Sequence, residues 1–285
     1  MFATLLGPLP RPPLPGDAAP EALLDAALEL QVDHGLDPLI DAGWPTSSDG
    51  GVVARWRATT ARVDGLVKAT VTGPLSGARS VADVRAELLA LADAGCAWIE
   101  VHEPAATSLG TDTEARAYFA AAHRALTADL GSEVHLSLAM TGGSAVAAGI
   151  ATILAGAYAS LALDLIDGPD NWELAVATPG EVGLVCGALS AHAGSDDGPE
   201  TLIWAAGYAA STGGRGLARV GLATSGSLAG LSWDHAATKV RRLGEASRLV
   251  TASPEVRRAA VDPRAIDIRT AALGRSEPPE TGRQP

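Results

Sequence analysis

Residues 133–166 read EVHLSLAMTGGSAVAAGIATILAGAYASLALDLI, which is two short apolar runs separated by an alanine-rich stretch. The runs at 133–139 and 160–166 have the length and residue types of buried strands, whereas residues 143–156 are typical of a helix. Strands joined through a helix run parallel, because a long crossover is needed to return the chain to the same end of the sheet. The stretch therefore predicts a strand–helix–strand unit.

The same alternation extends over most of the chain. Strands are predicted near residues 3–6, 37–41, 66–72, 97–102, 133–139, 160–166, 181–188 and 218–224, and helices near 19–33, 52–62, 80–94, 112–129, 143–156, 170–177, 197–211 and 234–249. Eight such units favour the α/β class and a closed (β/α)8 TIM barrel that forms a single domain. The alternative, an open Rossmann-like sheet, predicts a GxGxxG turn after the first strand, where the chain has Gly7-Pro8-Leu9-Pro10.

The barrel is expected to occupy residues 1–250, and residues 251–285 form a carboxyl-terminal extension. Residues 276–285 are rich in Pro, Glu, Gly and Arg. Such a composition buries too little apolar surface to offset the entropy of ordering, so we expect disorder at the end of the extension.

The composition excludes several classes of protein. The 285-residue chain is 47% hydrophobic and carries 21 basic and 33 acidic residues, for a net charge of −12, which argues against a nucleic-acid partner. Cys96 and Cys186 lie in apolar runs without CxxC spacing, as expected in a reducing compartment. No stretch reads as a signal peptide or a membrane span. We expect a cytoplasmic protein with a small-molecule substrate and no membrane partner; a homo-oligomer is left open.

Polar residues at the carboxyl ends of barrel strands face the loop-built mouth where barrel enzymes work. Period-two alternation places His135 and Ser137 on one strand face, and this polar pair fits the inside of a barrel. Asp164 interrupts an apolar strand, where a carboxylate is costly unless it is paired or ligated. We predict that His102, His135 and Asp164 form a catalytic group at one mouth. A histidine satisfied by internal hydrogen bonds is the alternative for His135.

His135 and Asp164 are also the candidate metal ligands, or an acid–base pair. Glu103, which precedes Pro104, is a candidate for substrate binding, with loop capping as the alternative. The remaining candidates for substrate binding are Gly7, Asp37, Asp41 and His192.

Four segments, taken in order, resemble the carboxyl-terminal catalytic barrel of cobalamin-independent methionine synthases and its short stand-alone relatives. Residues 6–12, LGPLPRP, look like the family's Gly-Ser-(aromatic)-Pro-Arg turn, and residues 31–41 look like its Gln-x-x-x-Gly-Leu-Asp segment. Residues 67–74, VKATVTGP, are similar to its Val-Lys-x-(Thr/Ser)-x-x-Gly-Pro strand. Residues 94–105, AGCAWIEVHEPA, track its motif ending in Asp-Glu-Pro-Ala, the most specific of the set.

The resemblance implies a zinc ion held by His, Cys, Glu and Cys, which activates a substrate thiol such as homocysteine for methylation by a methylfolate. On this sequence the first ligand position matches His135 and the Glu position matches Asp164. The two Cys positions fall on Ser137 and Gly226, and the Asp of Asp-Glu-Pro-Ala is His102. Both thiolate ligands are therefore expected to be lost, and with them a zinc site of the family's kind.

Three hypotheses follow. The first is a divergent methyltransferase-like enzyme with a rearranged site. The second is a non-catalytic ligand-binding or interaction barrel derived from the same family. The third is an unrelated barrel enzyme that uses His135 and Asp164 as acid and base.

Overall fold

The computed structural model describes residues 1–41, 51–131, 133–195, 198–262 and 264. In this part of the chain seven parallel strands form one sheet, in the order β1-β7-β6-β5-β4-β3-β2. The strands are β1 (Phe2–Thr4), β2 (Ala69–Thr72), β3 (Trp98–His102), β4 (His135–Met140), β5 (Ser160–Asp164), β6 (Gly183–Leu189) and β7 (Val220–Thr224).

Helices alternate with these strands, as the sequence predicts. They are α1 (Pro20–Asp33), α2 (Val52–Thr60), α3 (Val81–Asp93), α4 (Thr113–Thr127), α5 (Ile150–Ile153), α6 (Asn171–Ala177), α7 (Pro199–Ser211), α8 (Trp233–Thr251) and α9 (Pro254–Ala260). The α3 helix begins at a Ser80 cap, whose hydroxyl accepts the Asp83 amide at 3.1 Å, and the Asp112 carboxylate caps α4 in the same way. No helix of the described ranges is both long and apolar enough to cross a membrane.

The sheet is strongly curved. Strands β1 and β3 are far apart in the strand order, yet the rings of Phe2 and Trp98 lie 5.2 Å apart on the concave side. A side chain at Gly221 of β7 would overlap the Phe2 ring, so this glycine makes room for it. A small apolar cluster also fills the concave side, and it consists of Leu6, Ala139, Ala162, Val185 and Ala223. The larger core packs the convex side against the helices.

The predicted strand 37–41 is present only as two isolated bridges between the edge strands. The Asp37 amide donates to the Ala3 carbonyl at 2.8 Å, and the Lys68 amide donates to the Leu39 carbonyl at 3.0 Å. Pro38 between them has no N–H to donate, which prevents a continuous ladder. The structure therefore shows a curved seven-stranded parallel sheet of TIM-barrel type, and the eighth strand is reduced to these contacts.

The predicted helix 143–156 is wrong in extent. The structure has a 3-10 turn at Val146–Ala148 and the four-residue α5 in its place. Gly149 between them has φ +83°, outside the helical region, and it divides the segment. The extension begins inside an ordered region, since α8 continues to Thr251 and α9 follows; the predicted disorder at 276–285 falls outside the described residues.

Candidate active site

His135 lies at the amino-terminal end of its strand, contrary to prediction. It is the first residue of β4, its Nε2 is 2.8 Å from the Ser160 hydroxyl at the start of β5, and its ring stacks obliquely on Trp98 at 3.9 Å. The five steps from His135 to Met140 span about 17 Å at roughly 3.3 Å per residue. His135 is therefore at the opposite end of the barrel from the mouth. Burial lowers its pKa, so the imidazole is neutral at neutral pH.

Asp164 does lie at the mouth, as the last residue of β5, but its carboxylate is occupied by the backbone. It accepts amide hydrogen bonds from Gly142 at 3.0 Å and from Ile166 and Asp167 at 2.9 Å. The side chain is fully buried. These contacts tie the loop after β4 to the loop after β5, which explains how a carboxylate is tolerated in an apolar strand. The predicted pairing of Asp164 with His135 is wrong.

A different ionic cluster occupies the inside of the barrel. The Lys68 ammonium lies 2.7 Å from Oε1 of Glu100, and the same oxygen is 2.7 Å from Nε2 of His102. Glu100 and His102 are two residues apart on β3 and therefore point to the same face. Lys68 and Glu100 have fully buried side chains, whereas that of His102 is 17% exposed. The cluster thus rises from the closed interior to the mouth, and it ends in an accessible imidazole.

The charges in this cluster stabilise one another. Burial tends to raise the pKa of Glu100, but the Lys68 ammonium and the His102 ring outweigh it and hold the pKa at about 2. Burial lowers the pKa of Lys68, and Glu100 opposes that shift. Glu100 is therefore ionised throughout the physiological range and orients the His102 ring as a hydrogen-bond acceptor. A histidine oriented by a buried carboxylate is an arrangement suited to general acid–base catalysis.

Glu103 holds loops together and does not face the mouth. Its fully buried carboxylate accepts the Leu75 amide at 3.1 Å and the Ser76 amide at 2.6 Å, together with the Ser76 hydroxyl. Nε2 of buried His123 lies 3.6 Å away, and Nδ1 of the same ring bonds the Tyr158 hydroxyl at 2.6 Å. Burial favours the neutral form, yet these donors keep the pKa of Glu103 below its ordinary value. The loop-capping interpretation fits these contacts, and the substrate-binding one does not.

The other predicted residues contact other parts of the chain. His192 is 61% exposed and pairs with Asp167 at 2.7 Å, on the loops after β6 and β5. Asp41 lies 3.5 Å from Arg55. Gly7, with φ +96°, packs against Ser227 in the loop after β7. Asp37 begins its bridge segment and is exposed at the amino-terminal end of the sheet, so it is remote from the mouth.

The described residues do not fit a zinc–thiolate centre. A metal at the mouth needs ligands at the same height along the strands as His102 and Asp164. At that height β4 has Ala139, which pairs with His102, and Thr141 two residues later, and neither is a metal ligand of the family's kind. Thr141 faces Gly226 across the mouth. Within the described ranges no group of three or more His, Cys, Asp or Glu side chains could hold a metal ion. Burial also raises the pKa of both thiols, to about 12 for Cys186, so neither is a ready thiolate.

Ser137, the residue at the expected first Cys position, lies in the middle of β4. Its hydroxyl accepts from the Trp98 indole at 3.2 Å and donates to Glu100 at 3.5 Å. This serine therefore supports the ionic cluster from below. It is too far from the strand end to replace a metal ligand at the mouth.

Comparisons with known proteins place the fold. No protein-family model matches the chain, and no curated protein matches it. A solved B12-independent methionine synthase from Shewanella sp. W3-18-1, in complex with selenomethionine, superposes with a TM-score of 0.66 at 12% identity, covering 95% of this chain and 98% of that one. A protein from Listeria monocytogenes assigned to the vitamin-B12 independent methionine synthases gives 0.69 at 11% identity, with 89% and 98% covered.

A lysine-bound DHDPS from Cyanidioschyzon merolae also superposes, with a TM-score of 0.53 at 12% identity and coverage of 96% and 88%. At these identities the likeness defines the fold alone. The class is a curved parallel sheet alternating with helices, of the TIM-barrel-like kind, and its structural neighbours include proteins of the methionine-synthase type.

Lys68 and Glu100 are the functional candidates that the sequence interpretation missed. Both stand in the motif segments quoted above, and Glu100 interrupts an apolar strand in the same way as Asp164 does. The signal that could have identified them is that Glu100 shares strand parity with His102, so the two must face the same side.

Proposed function

We propose that the protein is a divergent enzyme of the methionine-synthase barrel type, which methylates a small amino-acid-like acceptor at the mouth without a zinc–thiolate centre. The barrel is closed in this proposal by the bridge segment 37–39. The observation that carries it is the accessible His102 imidazole, held 2.7 Å from a buried and ionised Glu100.

His102 acts as the general base in this reaction. A zinc ion would make a thiol nucleophilic by binding its thiolate; without that ion the acceptor proton must go to a protein base. The acceptor S–H or N–H proton passes to a ring nitrogen of His102, and the freed electron pair forms a bond to the methyl carbon of a methylfolate-type donor. The donor leaves with the electron pair of its broken C–N bond, and its nitrogen takes up the proton that His102 releases, so the imidazole returns to its starting form. Glu100 stabilises the imidazolium that forms, and Lys68 keeps Glu100 ionised.

The ligands of the fold neighbours support an amino-acid-like acceptor. One was solved with selenomethionine and another with lysine. The carboxyl end of the sheet is the usual location of barrel active sites, and His102 is the partly exposed member of the cluster there.

A non-catalytic binding barrel is the second candidate. The observation that favours it is that the carboxylates of Asp164 and Glu103 accept hydrogen bonds from backbone amides. These two carboxylates, which the sequence places at the mouth, therefore have structural roles and no role in chemistry. In that case the cluster of Lys68, Glu100 and His102 would serve only to bind and to stabilise.

The test combines calorimetry and turnover. L-homocysteine and L-methionine are titrated into the wild type and into His102→Gln. The control is His235→Gln, because His235 is an exposed histidine on α8. Methyl transfer from a methylfolate is then followed by mass spectrometry in the same three proteins. The proposal expects turnover that falls at least 100-fold in His102→Gln and is unchanged in the control. Binding without turnover in wild type would select the second candidate. Neither binding nor turnover would overturn both.

A further inference from the structure

A cavity opens at the amino-terminal end of the barrel, opposite the proposed active site. Its volume is about 360 Å³, within the range of small-molecule pockets. Its interior is formed by the rings of Phe2, Trp98 and His135, with Ser160 beside them. Aliphatic residues of β6 complete the wall. This is where the structure places His135, and the proposed reaction does not use the cavity.

The inner wall is suited to an aromatic ring. Phe2 and Trp98 meet edge to face at 5.2 Å, and the Trp98 and His135 rings are 3.9 Å apart at 41°. Aromatic rings favour such tilted and perpendicular contacts with one another. Trp98 is only 8% exposed, and its indole N–H is already satisfied by Ser137. The rings are therefore fixed before any ligand binds, which reduces the entropy lost on binding.

The rim carries one charge of each sign. Glu181 precedes β6 and Arg219 precedes β7, both side chains are exposed, and both line the cavity. Strands β6 and β7 are neighbours, and the backbone carbonyl of Arg219 approaches Gly183 closely. Two opposite charges above a ring-lined interior match a molecule with an ammonium group, a carboxylate and an aromatic side chain.

We propose that this cavity, named here the amino-end pocket, binds a free aromatic amino acid. The aromatic side chain packs against the wall formed by Phe2, Trp98 and His135, the carboxylate pairs with Arg219, and the ammonium pairs with Glu181. Nε2 of His135 lies 2.8 Å from the Ser160 hydroxyl, so the His135 ring is held in place where it lines the pocket. The pocket is separate from the mouth, and the proposal stands whether or not the proposed methyl transfer is correct.

The first experiment is isothermal titration of L-tryptophan and L-phenylalanine into the full chain, with L-alanine and indole as partial ligands. We expect L-tryptophan or L-phenylalanine to bind at least tenfold more tightly than either partial ligand. Equal binding of indole would overturn the role of the charged rim, and no binding of the two aromatic amino acids would overturn the proposal.

Variants then locate the binding. Ala218→Leu fills an exposed position of the pocket rim, and Arg219→Gln removes the carboxylate partner; each should weaken the affinity at least tenfold. Arg258→Gln, at a 66% exposed arginine on α9, is the matched control and should leave affinity unchanged. His102→Gln should also leave it unchanged. Affinity lost in His102→Gln but kept in Ala218→Leu would place the ligand at the mouth and contradict the proposal.

Discussion

Replacing Glu100 by Gln should be among the most destabilising single changes in the barrel. The substitution keeps the shape of the side chain but leaves the Lys68 ammonium, whose side chain is fully buried, without its counter-charge at 2.7 Å. Breaking a buried ion pair from one side costs about 3–5 kcal/mol, because the remaining charge stays desolvated. For a chain of this size, each kcal/mol lowers the melting temperature by roughly 2–3 °C, so we expect a decrease of about 6–15 °C.

Thermal and urea unfolding followed by circular dichroism measure this effect. The double variant Lys68→Met/Glu100→Gln removes both charges and should recover most of the lost stability, as buried pairs replaced on both sides usually do. Glu87→Gln is the control, because Glu87 pairs with Arg79 at 2.9 Å on the surface, where such a pair contributes about 1 kcal/mol or less. Equal losses of stability in Glu100→Gln and Glu87→Gln would contradict this prediction, and so would a double variant that is no more stable than Glu100→Gln.

Three further outcomes follow from the same structure. The pKa of Glu100 is lowered to about 2 in the folded protein, whereas in the unfolded chain it is near 4.5. Ionised Glu100 therefore contributes its full stabilisation above pH 4.5, and this stabilisation is lost as the pH falls toward 2. Over this pH range the free energy of unfolding of wild type should fall by about 3 kcal/mol more than that of Glu100→Gln. Purified protein should retain no stoichiometric zinc after dialysis, and one equivalent by elemental analysis would contradict the donor set described above. Asp164→Asn should cost about 1–3 kcal/mol and speed hydrogen exchange at the amides of Gly142, Ile166 and Asp167; unchanged exchange there would show that these bonds do not hold the loops.

The alternation of strands and helices could be predicted from the sequence because it depends on local periodicity. Apolar runs of four to eight residues and caps such as Ser80 specify each element without long-range information. The eighth strand could not be predicted correctly. Residues 37–41 could form a continuous ladder only if the position of Pro38 needed no N–H donor, and this depends on how the segment lies against its neighbouring strands. The Gly149 break was visible in the sequence, but its φ depends on packing.

The site was harder to predict, because alternation gives the face of a strand and not the height along it. His135 and Ser137 were correctly expected to share a face, yet the strand register places them at the amino-terminal end and the middle of β4. The pairing of Lys68 with Glu100 joins residues 32 positions apart, one directly before β2 and the other in β3. Such a contact depends on sheet register, which a single sequence does not encode locally.

The most direct test of the account is to observe the His102 ring itself. In protein labelled with 15N-histidine, L-homocysteine should shift the ring nitrogen resonances of His102, assigned through His102→Gln, while those of His135 at the opposite end stay fixed. Perturbation of His135 with no change at His102, or no change at any histidine at saturating ligand, would contradict an active site built on His102 and Glu100.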